Sequence, residues 1–367
     1  MSTLKVEVVR IDSIEKHPNA DRLDLAVVRD WRCVTAKDRF RAGDKAVYFP
    51  IDSILPEALE AKLFPADSKI KLEKHRIRTI KIRGAISQGL LCSLAELGLK
   101  DCAIGTDLTE KLGVTKYEPP VHMTPQSRAN QVSRHQVNPH FNKYTDIENF
   151  KNYPELFAAD DEVVVLEKIH GTNFRAGYVP FHASTIWKKI KRFFGIAPAW
   201  EFVYGSHNVQ LQDKFRYNGY HSENGNVYAE AVNKYRLREL IPEGHVVYGE
   251  IYGDGIQKGY TYGCAAGERR LAIFDIKIEG LYIDHDSVKH WTHRRQLPHA
   301  PIEYIGPFIS REAVKQFVDG PSSICSSQKV REGVVIKPLK ESMTYMGRKI
   351  LKFKSDEFLL KTEDDTH

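Results

Sequence analysis

The tightest constraint on this chain is the run Val163-Val164-Val165-Leu166, which ends abruptly in Glu167-Lys168-Ile169-His170-Gly171-Thr172-Asn173. β-Branched residues favour a pleated strand. The chain therefore brings a carboxylate and an ammonium to a strand end, with a glycine three residues after the lysine. By itself that spacing marks only a surface lysine ahead of a turn. The rest of the C-terminal half gives it weight. Val246–Gly253 is a strand signal with Glu250 set between Gly249 and Gly253. Leu271–Ile276 is a second strand, with Phe274 near its end. Arg331–Lys337 is a third and carries Glu332. Ile350–Lys354 is a fourth, and period two puts Lys352 and Lys354 on one of its faces. Each element is weak singly. The order Lys, Glu, Phe, Glu, Lys-x-Lys is far more specific.

Residues 1 to about 112 differ in character. Val6–Ile11, Leu23–Val28 and Lys45–Pro50 are short β-rich stretches broken by turn residues such as Gly43-Asp44, the spacing of a small β-barrel. From Lys69 to Arg83, apolar Ile70, Leu72, Ile77, Ile80 and Ile82 alternate with basic residues. As a strand this segment carries a basic stripe outward, either a solvated barrel face or a track for a phosphate backbone. Ile14–Asp24 and Arg83–Ser93 together resemble the OB domains that bind tRNA in synthetase-associated proteins, which implies an RNA-facing barrel. A linker is expected around Tyr117-Glu118-Pro119-Pro120, and residues 124 to 140 are polar and turn-prone. A short helix is expected near Glu148–Phe157. From Glu162 onward strands and helices mix, as in an α+β domain. Within it, Thr185–Phe194 is basic and amphipathic. Two readings fit that segment: contact with nucleic acid or a membrane surface, or a solvated surface helix or loop insertion.

From about Glu162 to Phe358, the ordered elements resemble the covalent nucleotidyltransferases: ATP-dependent DNA ligases, RNA ligases and mRNA capping enzymes. Capping enzymes and DNA ligases usually carry Asp where this chain has His170. The wording Glu-Lys-Ile-His-Gly-Thr-Asn is similar to RNA ligases of the double-strand-repair and RNA-editing type. The barrel in front, with Gly205-Ser206-His207-Asn208 and Glu250-Ile251-Tyr252-Gly253, narrows the resemblance to RNA ligases that carry their OB domain first.

The resemblance implies a two-domain fold: an N-terminal all-β OB barrel (1–115), a linker and entry helix (116–160), and an α+β nucleotidyltransferase domain with antiparallel sheets (161–367). Lys168 is then the nucleophile that takes AMP from ATP, and Lys352 and Lys354 neutralise the α-phosphate. Glu250 and Glu332 offer hard oxygen ligands to Mg²⁺ or Mn²⁺. Phe274 stacks on adenine with Val334 on its other face. Glu167, Ile169, Asn173 and Arg175 complete the nucleotide site. Ser206, His207 and Asn208 meet the 5′-phosphate, as do Lys81 and Arg83 the RNA strand. His207 stands where relatives often have Arg or Lys, and a protonated histidine does the same work with a sharper pH dependence. His170 has two readings: a core histidine satisfied by a backbone carbonyl, or a group that orients others near the phosphates. The implied reaction joins RNA 3′-OH and 5′-phosphate ends, as in a nicked duplex or hybrid, by an enzyme expected to be monomeric.

Composition sets bounds. Hydrophobic residues make up 42% and charged residues 28%, which suits folded domains with real cores. The net charge of +6 permits an anionic partner without requiring one. No apolar run is long enough to cross a bilayer, so no membrane partner is expected. The N-terminus lacks the apolar core of a signal peptide. Five scattered cysteines without a CxxC pair suggest neither a zinc site nor disulfides, so a cytoplasmic, reducing compartment is expected.

Overall fold

The computed structural model describes residues 3–65, 68, 71–117, 137–211 and 226–361. By internal contacts the chain divides into two units. One draws on Met1–Pro120, Ile147–Pro154 and Asp356–His367, the other on Val121–Asp146 and Glu155–Ser355.

The first unit contains strands β1 (Glu7–Arg10), β2 (Ser13–Lys16), β3 (Leu23–Val28), β4 (Trp31–Ala36), β5 (Lys45–Phe49), β6 (Ser53–Ile54), β7 (Thr79–Ile82), β8 (Ala85–Gln88), β9 (Leu90–Cys92), β10 (Thr115–Lys116) and the two-residue β11 (Glu148–Asn149). They pair antiparallel as β1-β5-β9, β2-β3-β4, β7-β8 and β10-β6. In β4 the alternation is clean: Trp31, Cys33 and Thr35 point inward. Val6, Val8, Val47, Phe49, Leu55, Ile77 and Leu108 form the core. The two segments that carried the tRNA-type resemblance meet here. His17 is buried, with Nε2 3.0 Å from the Ile82 carbonyl, and Asn19 Nδ2 donates to the Arg83 carbonyl at 3.0 Å. The His-Pro-Asn segment therefore buttresses the tip of the β7–β8 hairpin.

The stripe read from Lys69 to Arg83, whose alternation already breaks phase in the sequence, is only partly strand. Lys69 and Ile70 lie outside the described residues. Glu73–His75 is a 3₁₀ turn with Lys74 and His75 at positive φ, and only Thr79–Ile82 is strand. Arg76 leaves the stripe altogether: it is buried, donates from two guanidinium nitrogens to Asp52 Oδ1 and lies 3.6 Å over the Tyr117 ring. Lys81 and Arg83 do stand exposed at the hairpin.

The second unit contains β12 (Glu162–Lys168), β13 (Thr172–Pro180), β14 (Trp200–Gly205), β15 (Gln210–Leu211), β16 (His245–Gly253), β17 (Arg269–Ile278), β18 (Leu281–Tyr282), β19 (Ile302–Pro307), β20 (Gly333–Pro338), β21 (Met343–Thr344), β22 (Gly347–Arg348) and β23 (Leu351–Lys354). One sheet runs β15-β14-β13-β16-β17-β18, and another has the order β23-β20-β12-β19. Phe174, Ala176, Val247, Ile251, Leu271, Ile273 and Ile276 turn one face of the first sheet into a core. The helices Val227–Lys234 and His285–Arg294 contribute Ala231, Val232, Val288 and Trp291 to it. Pleating sends the alternate residues Asn173, Arg175, Tyr248 and Glu250 to the other face. In β17 the register shifts, so that Tyr248 pairs with Asp275 but Gly249 with Ile273. Phe274 is the extra residue of a β-bulge. Such a bulge re-aims neighbouring side chains, and here it keeps Ile276 in the core while turning Asp275 toward the Tyr248 face.

The expected contiguous division of the chain gives way to an interleaved one. Residues 137–146 already belong to the second unit. Asn138 Nδ2 donates to the Pro180 carbonyl and to Glu201, and the Tyr144 hydroxyl donates to Asp275 at 2.6 Å. In place of an entry helix, Phe150–Asn152 forms a 3₁₀ turn in the first unit. There Lys151 Nζ bonds Gln88 at 2.9 Å and Asn152 accepts from the Trp31 indole at 2.8 Å. The last helix, Asp356–Lys361, also returns to the first unit, where Asp356 accepts from Gln88. Most of the polar 124–140 stretch lies outside the described residues.

Candidate active site

Lys168 ends β12, directly opposite Gly333 on β20, and Gly333 is opposite Lys354 on β23. Directly paired residues share a face, so the two lysines flank a glycine that has no side chain to separate them. Gly333 has φ +145°, and a Cβ there would meet the Phe353 carbonyl at 2.1 Å. Glu332, just before it, closes the cluster. Its Oε1 accepts from Lys168 Nζ at 2.8 Å and lies 3.0 Å from Lys354 Nζ. Glu332 is 3% exposed and the Lys168 side chain 25%. Burial alone would raise the Glu332 pKa, but the Lys168 and Lys354 ammoniums and His170 outweigh it and hold it at about 2.

His170 sits beside this carboxylate, Nδ1 3.7 Å from Glu332 Oε2, with its ring edge-on to Tyr260. His170 is buried, as the core reading expects, and its charged neighbour is Glu332. Its backbone N–H donates to the Tyr262 hydroxyl at 2.7 Å. Gly171 brings in Glu250. A Cβ on Gly171 would stand 2.2 Å from the Ile251 carbonyl and 2.8 Å from Glu250 Cγ. Only glycine lets β16 and the Glu250 side chain lie this close to the nucleophile segment. Glu250 is inside β16 rather than after it, directly opposite Asn173 on β13. The Tyr228 hydroxyl, 2.9 Å from that of Thr172, feels the Glu250 charge and bonds Ser206, which draws that serine into the same neighbourhood.

Register corrects one expected nucleotide contact, Val334. Two residues from the Lys168–Gly333–Lys354 row lies Leu166–Val335–Lys352, on the same face. Val334 pairs instead with Glu167 and Phe353 on the opposite face, where it is fully buried. Val335, half-buried, is therefore the apolar residue of the lysine face, and Val334 is core. The Glu167 carboxylate accepts from the Ser323 N–H at 2.8 Å, and burial pushes its pKa up. Ile169 is buried, which leaves its backbone as the part able to meet a ligand.

The expected anion contacts of Arg175 and His207 also change. Arg175 is buried, with its guanidinium on the carbonyls of Ser206 and Phe141 and stacked over the Phe141 ring. It fixes a loop instead of facing a ligand. Burial, with Lys143 and Arg175 adding, lowers the His207 pKa to about 4, which favours the neutral ring, and its Nε2 lies 3.8 Å from Asp146 Oδ1. The loop's cation is the exposed Lys143, whose Nζ donates to Asn208 Oδ1 at 2.6 Å.

A second ionic cluster went unnoticed in the sequence. Asp275 is fully buried: Oδ1 accepts from Lys337 at 2.8 Å, Oδ2 from Arg348 at 2.9 Å and from Tyr144. Arg348 also pairs with Glu341. This cluster ties β17 to β20 and β22, and fixes Phe274 through the adjacent residue. Phe274 itself packs edge-on against Tyr144 at 4.9 Å. A charged residue inside the apolar run Leu271–Ile276 was the available signal.

Comparison with known proteins agrees with this architecture. An OB-fold domain model matches residues 5–94. The RNA ligase family model matches residues 161–354, just over half the chain. Structures of Naegleria gruberi RNA ligase superpose over nearly the whole molecule. One, a variant with ATP and Mn, gives a TM-score of 0.74 at 23% identity, covering 99% of this chain and 100% of that one. Another, with AMP and Mn, gives 0.76 at 23% identity and the same coverage. Among curated sequences, the phenylalanine–tRNA ligase beta subunit of Geobacter sulfurreducens is 33% identical over 144 residues, 35% of this chain. That of Syntrophotalea carbinolica is 28% identical over 211 residues, 53% of this chain. The matches span only 16% and 24% of those subunits. The chain has an OB-fold domain followed by a nucleotidyltransferase-type ligase domain. It belongs to the RNA ligase family.

Proposed function

We propose that this protein is an ATP-dependent RNA ligase that works through a lysyl-AMP intermediate on Lys168. The observation that carries the reading is the crowding of the Lys168 and Lys354 ammoniums on one oxygen of Glu332, at the end of a strand whose next glycine admits Glu250. An amine so placed attacks the α-phosphorus of ATP: the N–P bond forms, the bond to the bridging oxygen breaks, and pyrophosphate leaves. Lys354 and Lys352 neutralise charge at the phosphate as it develops. Val335 and Phe274 offer apolar surface to the base. AMP then passes to an RNA 5′-phosphate, and a 3′-OH displaces it to give a phosphodiester.

Among the described residues no three His, Cys, Asp or Glu side chains converge on a point that would hold a metal. The Glu250 carboxylate, close beside Gly171 of the nucleophile segment, fits Mg²⁺ or Mn²⁺ held by one or two carboxylates together with substrate phosphates. Glu250 is the residue of choice, and Glu332 serves chiefly to position the lysines. A bound cation would supply charge neutralisation at the phosphates.

The first unit, on this reading, grips RNA on the 3′-OH side. Exposed Lys81 and Arg83 at its buttressed hairpin support that, as does the likeness to tRNA ligase subunits. The substrate is a nicked RNA duplex or hybrid, sealed by a monomer inside the cell as part of RNA repair. α-Labelled ATP with Mg²⁺ should leave an alkali-stable, acid-labile label on the wild-type chain and none on Lys168→Ala. An unlabelled wild type ends the proposal, and labelling from GTP in preference to ATP turns it toward a capping enzyme. Alanine at Lys81 and Arg83 should weaken sealing and spare the adduct.

A further inference from the structure

The β13–β14 hairpin ends its pairing at Pro180 and Trp200, and the chain between them forms a helix, Ile186–Phe193. Thr185 caps it by accepting from the Lys188 N–H. A surface helix of a soluble domain turns its apolar stripe to the core. This helix does the reverse. Ile186, Trp187, Ile190, Phe193 and Phe194 gather on roughly a third of its circumference, and that arc faces solvent. Trp187 is 75% exposed, Phe193 84% and Phe194 68%. The residue on the opposite side, Lys188, faces the protein: its ammonium pairs with Glu201 of β14 and lies over the Phe181 ring. Lys189 and Lys191 stand exposed on the two flanks, Arg192 lies exposed beside Lys188 on the polar side, and no acidic residue occurs in the helix. The helix is thus anchored by its polar side and presents its apolar side outward.

We propose that this helix docks the protein on an anionic lipid surface. An apolar arc of Trp, Phe and Ile bordered only by Lys and Arg is the pattern of a helix lying in the headgroup region, rings at the acyl boundary and cations at the phosphates. Charge selects the partner's sign, and segregation of the two faces selects lipid over RNA. A single-strand platform interleaves its rings with cations along one groove, whereas here they lie on separate sides. Docking of this kind is independent of crossing a bilayer, for which no helix among the described residues is long and apolar enough.

The test uses the full-length protein with vesicles of phosphatidylcholine alone and of phosphatidylcholine mixed with phosphatidylglycerol. The protein should sediment with the anionic vesicles, with Trp187 emission shifted to the blue, and high salt should weaken the association. Trp187→Asp with Phe193→Asp should lower partitioning by about tenfold or more. Lys189→Glu with Lys191→Glu should abolish the preference for anionic vesicles. Circular dichroism and retained Lys168 adenylylation verify that the variants are folded. The idea is overturned if the wild type stays in the supernatant, if it binds neutral vesicles equally, or if the aspartates leave binding unchanged. It is equally overturned if the aspartates reduce RNA affinity or dissociate a dimer while vesicles are never bound.

Discussion

Strand β20 touches two ionic clusters, one at each end, and they are built on opposite principles. At the Glu332 end, two ammoniums share one carboxylate oxygen and a quarter of the Lys168 side chain meets solvent. At the Lys337 end, Asp275 divides its two oxygens among Lys337, Arg348 and Tyr144, and neither Asp275 nor Lys337 meets solvent. The first crowds two cations on one oxygen and leaves part of Lys168 open to solvent, and the second shares its carboxylate out and is sealed. Crowded, partly open charge suits chemistry; sealed charge holds a sheet to its neighbour.

That contrast can be broken by experiment. The largest effect is expected at the sealed cluster. Asp275→Ala strands buried Lys337 and takes one of two carboxylates from Arg348, and urea unfolding should show a loss of about 3–5 kcal/mol. A loss under 1 kcal/mol would mean that the cluster does not fasten the sheets. Lys354→Ala should do the opposite: single-turnover labelling of Lys168 should slow by roughly 10²–10³-fold, while the urea midpoint moves far less than in the Asp275 variant. Retention of near-normal labelling would remove Lys354 from the chemistry.

Acid should sharpen the contrast further. Glu332 titrates at about 2 in the folded chain, below its ordinary 4.5. Its charge therefore adds stability that is fully present above 4.5 and is lost as pH falls toward 2. Glu332→Gln should flatten that part of the stability–pH curve, and an unchanged slope would show that other groups carry it. The smallest expected effect separates two neighbouring valines. Val334→Ala should cost about 1.5 kcal/mol of stability with the KM for ATP unchanged, whereas Val335→Ala should raise that KM a few-fold with little loss of stability. The reverse outcome would overturn the face assignment.

Much of this was legible in the sequence, for identifiable reasons. Lys168, Glu332 and Lys354 could be singled out in advance because each sits at a strand end marked by a change between apolar and charged residues, though their mutual pairing could not. The barrel strands showed in their turn residues. Faces were a different matter. Choosing between Val334 and Val335 needs the pairing of β20 with β12 and β23, and period two alone cannot say which phase faces a third strand. Arg175 looked like an anion contact because its alternation with Asn173 is correct; what the sequence lacks is Phe141, distant in the chain, which covers it. His207 looked like a cation because burial is invisible in composition. The stripe from Lys69 to Arg83 failed because local turn geometry at Lys74 and His75 broke the alternation.

The interleaved path of the chain bears on how the protein can be cut apart. A fragment starting at residue 161 looks like a natural catalytic piece, but it discards Tyr144, Phe141 and Asn138. Asp275 would lose the hydroxyl that fills its second oxygen, and Arg175 both the ring beneath it and one of its carbonyls. A fragment that keeps residues 137–146 and joins them to 155 through a short engineered bridge would retain those bonds. Gene dissection of this ligase should therefore follow the contacts and not the order of the codons.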